Sequence, residues 1–145
     1  MAAGDFIKID AFVEQLAEKA YDLGSDTLKF ALTNTAPTPA TDTVFLPGTL
    51  HPPPAAANGY TAGGHTATIA SSSETAGTYT LASTAAVVIT ATAGGIGPFR
   101  YVILYDDTAA ADELIGYYDY GSSITLTVAG ETFTIDPDAS LLTIA

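Results

Sequence analysis

Two histidines are the residues in this chain best suited to metal or acid–base chemistry. His51 precedes a run of prolines, and His65 follows Gly63-Gly64, fourteen positions later. Two histidines and a carboxylate could hold zinc or iron, but such sites in small β enzymes usually place both histidines close together on one strand. The spacing here therefore favours two solvated loop histidines, and we expect no metal site.

Carboxylates gather in the last third of the chain, at Asp106-Asp107, Asp112-Glu113, Asp119, Asp136 and Asp138. Calcium takes oxygen ligands from loops, but the spacing of an EF-hand loop with its central glycine is absent from the sequence. Aspartate also forms turns and keeps sheet edges soluble. The acidic groups are typical of turns, with a structural cation as the alternative.

Motifs for nucleophilic or phosphate chemistry are missing from the sequence. It has no Gly-x-Ser-x-Gly elbow, and Ser71-Ser72-Ser73 has no neighbouring base. The glycine-rich run at residues 94–97 lacks the lysine and the following helix of a phosphate-binding loop. We expect no catalytic residue, no cofactor and no enzymatic activity.

Composition excludes several classes of function. The chain has 145 residues, is 48% hydrophobic and 14% charged, and so predicts one folded domain over residues 1–145. Four basic residues against sixteen acidic ones give a formal net charge of −12, which excludes nucleic acid and anionic membranes as partners. Without cysteine there is no disulfide scaffold, thiolate metal site or thiol redox chemistry.

The elements that must position any site change in character along the chain. Apolar residues spaced for a helix predict one over residues 10–23, with Asp10 as N-cap and Gly24 as C-cap. Alternation then predicts a strand at residues 26–34. Residues 35–58 contain six prolines and predict a long loop or extended arm.

Short alternating segments with turn residues between them fill the rest of the chain. We expect strands at residues 66–71, 78–82, 86–92, 99–105, 114–120, 123–128, 131–135 and 141–144. The segment at 99–105 is apolar on both faces and predicts a central strand, and Ala129-Gly130 predicts a tight hairpin. The fold expected is mainly β: a β-sandwich or jelly-roll-like domain of eight to nine short strands with one N-terminal helix.

Two features favour a protein that buries surface against neighbours. The apolar centre of the proline-rich segment needs a cover, and tyrosines cluster on two neighbouring predicted strands. Tyrosine is common at interfaces, although pairs of rings within one sheet would explain the same residues. The interface residues predicted here are Val44, Phe45, Leu46, Tyr117, Tyr118 and Tyr120.

Several segments of the chain resemble small virion proteins of tailed bacteriophages. The likeness is carried by residues 21–37, which include LKFALTNTAP, and by residues 58–64, 97–108 (GPFRYVILYDDT), 114–123 and 130–136. The resemblance implies a capsid decoration or cement protein on the virion surface, made in the host cytoplasm. Its partners would be the major capsid protein and copies of itself, with a trimer as one arrangement.

Two other functions stay open at this point. A tail, neck or fibre-base component would share the fold and the need for interfaces. A glycan-binding β-sandwich module would instead expose some of the strand tyrosines beside Asp or Asn. In the decoration hypothesis, residues 1–9 and the arm at 35–58 reach across to neighbours, and deleting residues 38–56 leaves the fold intact but abolishes particle binding.

Overall fold

The computed structural model describes residues 4–83, 85–137 and 140–145 and is mainly β, as predicted. Asp138, one of the acidic turn residues, lies outside the described residues. In chain order the elements are β1 (Phe6–Lys8), α1 (Phe12–Ala17), β2 (Leu28–Thr33), β3 (His65–Thr66), β4 (Ile69–Thr75), β5 (Thr78–Ser83), β6 (Val87–Thr90), β7 (Ile96–Asp106), β8 (Leu114–Leu126), β9 (Thr132–Ile135) and β10 (Ser140–Ile144).

Three antiparallel sheets organise the strands. The largest has the order β1-β8-β7-β2-β3, and the other two have the orders β10-β5-β4 and β6-β9. Strand β7 pairs with β2 on one side and β8 on the other, which confirms the predicted central strand. Its apolar residues serve two cores, because Val102 and Leu104 enter one cluster while Ile103 and Tyr105 enter another.

The main core lies on the face of the large sheet that carries Phe30 and Leu104. Side chains from both smaller sheets complete it, including Leu81 on β5, Ile89 on β6 and Phe133 on β9. The second core lies on the opposite face, around Ile9, Ala31, Phe45, Ile103, Tyr105, Leu114 and Tyr117. Both faces of the large sheet are therefore covered by the chain's own residues.

The helix is much shorter than predicted. It covers Phe12–Ala17 and begins after Ala11 rather than Asp10, with no side-chain cap. Ala20 N–H donates to Gln15 O (2.8 Å), Lys19 N–H donates to Leu16 O (3.2 Å), and Lys19 takes a φ of 66°. This is a Schellman turn, so the helix ends at Ala17, well before the predicted cap at Gly24.

Strand boundaries differ from prediction where a glycine or a turn was misinterpreted. Gly121 has a φ of 79° but lies inside β8, since β7 pairs with β8 on both sides of it. The predicted hairpin at Ala129-Gly130 is wrong, because β9 pairs with β6. Gly130 N–H donates to Ala91 O (2.7 Å), which fastens this turn to the end of β6 instead.

The N-terminal segment does not reach outwards over the described residues 4–9. Strand β1 forms an edge of the large sheet by pairing with β8, and the Phe6 ring lies 5.1 Å from the ring of Tyr118. Ile9 is fully buried in the second core. Residues 4–9 therefore belong to the chain's own large sheet, whereas the predicted contact of residues 1–9 with a neighbour stays a prediction, and residues 1–3 lie outside the described residues.

Candidate docking surface

The proline-rich segment, residues 35–58, is docked on its own chain rather than being a free arm. Phe45 N–H donates to Asp112 O (2.8 Å), and Leu114 N–H donates to Thr43 O (3.0 Å). These bonds form an isolated bridge between Val44 and Glu113. The segment thereby provides hydrogen-bond partners for backbone groups at the start of β8. Proline could not provide the donor, because it has no backbone N–H.

Phe45 is the apolar anchor of this segment. Its side chain is 3% exposed, and its ring stacks on that of Tyr105 with 4.5 Å between centroids. Ile103 and Leu114 belong to the same cluster. Deleting residues 38–56 would uncover this second core, so the expectation that the deletion leaves the fold intact is wrong.

His51 fixes the turn that follows Phe45. The imidazole is 0% exposed, which corrects the prediction of a solvated histidine. Leu46 N–H donates to His51 Nδ1 (3.3 Å), and His51 Nε2 lies 3.1 Å from Asp42 Oδ2. With Nδ1 accepting, the proton belongs on Nε2, where it faces the carboxylate. Both ring nitrogens are occupied, so this ring has no free lone pair for a metal or a substrate proton.

Asp42 is held ionised by its surroundings. Burial alone would raise the pKa of Asp42, but hydrogen bonds from Thr38 N–H (2.8 Å) and from His51 bring that pKa below its usual value. An imidazole that donates to a half-buried carboxylate and accepts from the backbone is a structural pin. Phe45 covers it, with 6.0 Å between the two ring centroids.

The pinned turn presents two leucines to solvent. The N–H groups of Thr49, Leu50 and His51 all donate to Leu46 O, at 3.3, 3.1 and 2.9 Å. Leu46 is 40% exposed and Leu50 is 45% exposed. We call residues 46–50 the tip turn. Because its backbone is already bonded, the tip turn would lose little conformational entropy on binding a partner.

The predicted interface residues lie at different depths. Val44 is half-buried, Phe45 is buried and Leu46 is exposed. Tyr117, Tyr118 and Tyr120 are buried within the chain, where their rings meet those of Tyr101, Phe6 and Phe133 respectively. The exposed tyrosines that a glycan-binding module requires are not provided by these three, and their predicted contact with a partner stays a prediction.

His65 occupies a different environment from His51. It pairs with Phe30 across β3 and β2, and its ring lies 5.7 Å from that of Tyr60. Burial lowers the pKa of His65, which keeps the ring neutral. Across the residues the structure describes, no group of three or more His, Cys, Asp or Glu side chains is arranged to hold a metal.

Two candidate functional features, an exposed leucine and a cavity, were not predicted from the sequence. Leu50 lies outside the apolar run 44–46. Nothing in the sequence shows that a turn places it close to Leu46. A cavity of about 600 Å³ lies beside the segment after α1, lined in part by Tyr21, Asp26 and Tyr79. Its lining comes from distant parts of the chain, so no motif could have signalled it.

Comparison with known proteins adds no further assignment. Protein-family models, curated proteins and solved structures give no match to this chain. Within the described ranges, every helix falls short of the length and apolar character needed to cross a bilayer.

Proposed function

We propose that this chain is a non-enzymatic structural protein of a tailed-phage virion, and specifically a capsid decoration or cement protein. It would bind the outer surface of the head and stabilise contacts among copies of the major capsid protein and of itself. The proposal is supported by the resemblance of its segments to small phage virion proteins. It is also supported by a rigid apolar tip on a strongly acidic chain.

The single observation that carries the proposal is the tip turn. Leu46 and Leu50 are exposed although neighbouring Phe45 and His51 are buried, so the chain orders this turn without hiding its leucines. Adequate contact with a capsid would need about 1,000 Å² of buried surface, repeated by symmetry. Two leucines would form the apolar centre of such a contact, with the surrounding surface as its rim.

The proposal includes a sandwich arrangement of the sheets. Residues of the large sheet and of both smaller sheets share the main core, as Phe30, Leu81 and Phe133 illustrate. A domain whose core is enclosed by its own sheets can present one loop without losing stability. The net charge of −12 would also keep decorated particles apart in solution.

The test replaces only the exposed leucines. The double variant Leu46→Gln/Leu50→Gln should fold normally and be lost from purified particles, since it removes the apolar centre of the contact. The matched control is Val13→Gln/Val88→Gln, which changes two residues that are 57% and 54% exposed elsewhere. Copy number in particles is measured by quantitative mass spectrometry. Equal copy numbers for both variants would contradict the assignment of the tip turn.

A further inference from the structure

Strand β4 is an open edge of one of the smaller sheets. The sheet has the order β10-β5-β4, and among the described residues β4 pairs with β5 alone. Six consecutive residues of the strand, 70–75, are exposed. The side of β4 that faces away from β5 is therefore open to solvent.

This edge is longer than the other sheet edges that the structure describes. Strand β4 has seven residues, whereas β1 has three, β3 has two, β6 and β9 have four each and β10 has five. Lysine, proline and bulges are the usual devices that keep an exposed edge from pairing with another strand. Residues 69–75 contain no lysine or proline, Glu74 is their only charge, and their one bulge lies at the start, before Ser71. From Ser71 to Thr75 the edge is thus regular and unprotected.

The turn after β4 shows which backbone groups lie on the open side. Thr75 and Thr78 pair across Ala76-Gly77, whose φ angles of 51° and 87° are those of a type I′ turn. Residues that flank such a turn exchange both backbone hydrogen bonds, and in an antiparallel pair every second residue points its groups the other way. The N–H and C=O groups of Ser72 and Glu74 therefore point away from β5.

These outward groups are held in place before any partner arrives. Ser72 Oγ lies 2.9 Å from Tyr79 OH on β5, and Gly77 N–H donates to Glu74 Oε1 (2.5 Å). A strand that is already ordered loses little conformational entropy when a second strand pairs with it.

We propose that β4 pairs with β4 of a second copy of this chain, antiparallel and about a two-fold axis. The three-stranded sheets of the two copies would then form one continuous sheet of six strands. A two-fold contact needs a surface that matches itself, and two copies of β4 match in length and in the alternation of their outward groups. The inference rests on the proposed function for its role in the particle, because that function includes contacts among copies of this chain.

Charge selects the register of this pairing. With Ser72 opposite Ser72 of the second copy, Glu74 faces Ala70, and the two Glu74 residues are four positions apart. That separation is about 13 Å along the strands, which is beyond the Debye length of about 8 Å at physiological salt. A register shifted towards the turn brings the two carboxylates together, and like charges directly opposite destabilise a strand pair.

The acidic character of the chain makes this association dependent on salt. Each copy carries a formal net charge of −12, so two copies repel each other at low ionic strength. Salt screens this repulsion but not the backbone hydrogen bonds. We expect the dissociation constant of the dimer to fall when NaCl is raised from about 20 mM to about 300 mM, as measured by sedimentation velocity on the isolated full chain.

The decisive test changes Ser71 and Ser73, which are exposed and face each other across the proposed contact. Ser71→Lys/Ser73→Lys puts like charges opposite each other and should raise the dissociation constant at least about tenfold. It also reduces the net negative charge, so a contact elsewhere on the chain should instead become tighter. The matched control, Ser71→Lys/Ser73→Glu, puts opposite charges together at the same positions and should dimerise at least as tightly as the wild type.

Hydrogen exchange on the wild type tests the backbone pairing itself. The amides of Ser72 and Glu74 should exchange more slowly as the protein concentration rises, because they gain partners in the dimer. The amide of Ser73, which points towards β5, should depend little on concentration.

A chain that stays monomeric at about 1 mM, or a dimer of equal stability in both double variants, would overturn the inference. Exchange at Ser72 and Glu74 that is independent of concentration in a dimer would overturn it as well. If the chain is present in particles but fails these tests, the proposed function stands without this contact. If dimers depend on β4 while the chain is absent from particles, the proposed function is wrong and the dimer remains.

Discussion

Two buried ionisable sites in this protein are built in opposite ways. Around His51, each ring nitrogen has a partner, and Asp42 accepts hydrogen bonds from the backbone and the ring. At Asp106, one oxygen accepts two N–H groups, and the other has no N–H or O–H donor among the described residues but has the carboxyl group of Asp26, another acid, within hydrogen-bonding reach. The first site holds a loop in place with its polar groups satisfied. The second holds a carboxylate that forms no ion pair among the described residues.

The largest expected effect on stability comes from replacing Phe45, the apolar anchor beside His51. Phe45→Ala should lower the free energy of unfolding by about 4 kcal/mol, because it leaves a cavity against Tyr105 in the second core. Urea denaturation at pH 7 measures this. Leu46→Ala is the control and should change stability by less than about 1 kcal/mol, since its side chain is already 40% exposed. Equal losses would show that residues 35–58 are not docked.

The second largest effect on stability is expected when His51 itself is replaced. His51→Ala should lower the free energy of unfolding by about 3 kcal/mol, because it removes a fully buried ring, one hydrogen bond to the Asp42 carboxylate and the acceptor of the Leu46 N–H. Hydrogen exchange should then show faster exchange of the amides of the tip turn, while the amides of β7 stay protected. His65→Ala serves as the comparison and should leave the tip turn protected. An unchanged rate of amide exchange at residues 46–50 would contradict the conclusion that His51 holds the tip turn in place.

The contribution of Asp106 to the stability of the fold should change with pH in the opposite direction from that of Asp42. The folded pKa of Asp106 is about 6 and its ordinary value is 3.8, so the folded state binds the proton more tightly. Protonation therefore stabilises the fold fully below about pH 4, and this contribution is lost as the pH rises through 6. Asp42, with its lowered pKa, stabilises the fold above its ordinary pKa and loses this contribution only as the pH falls through its own folded value.

Asp106→Asn tests this difference. It keeps an acceptor for Thr108 and Ala109 but removes the charge, so it should stabilise the protein at pH 7.5 by about 2 kcal/mol and have little effect near about pH 3.5. Thermal unfolding across this pH range gives the result. If Asp106→Asn shifts the melting temperature equally at both pH values, Asp106 is not an uncompensated charge.

The smallest effect on stability should come from the tip turn. Leu46→Gln/Leu50→Gln should change the free energy of unfolding by less than about 1 kcal/mol, because both side chains are already largely in solvent. Urea denaturation measures this, with Val13→Gln/Val88→Gln as the reference. A loss of more than about 2 kcal/mol would mean that the leucines support the fold rather than a contact.

Sequence patterns predicted the elements whose signal is local. The alternation of Leu28, Phe30 and Leu32 marked β2, and the apolar run of β7 marked a strand covered on both faces. The helix was overestimated because Ala20 and Leu23 continue its apolar stripe after the Schellman turn has ended it. The pairing of β9 with β6 was missed because hairpin signals describe neighbours in sequence, and this pairing joins distant strands.

The sites were harder to predict than the strands. Phe45 was recognised as needing a cover, yet no pattern showed that its own chain supplies one through Tyr105. The interpretation of His51 as solvated followed from its loop position and its distance in sequence from His65, whereas the structure pairs its ring with Asp42 and with the backbone of Leu46. Asp106 is a turn former, as expected, but its burial and its contact with the Asp26 carboxyl group are visible only in three dimensions.

The most direct test of the decoration hypothesis is the ratio of this chain to the major capsid protein in purified particles, measured by quantitative mass spectrometry. We predict a ratio of about one, or a simple fraction such as about one third, as a symmetric shell component requires. A ratio lower by about an order of magnitude would place the chain in the tail, neck or fibre base. Absence from the particles would contradict the virion assignment.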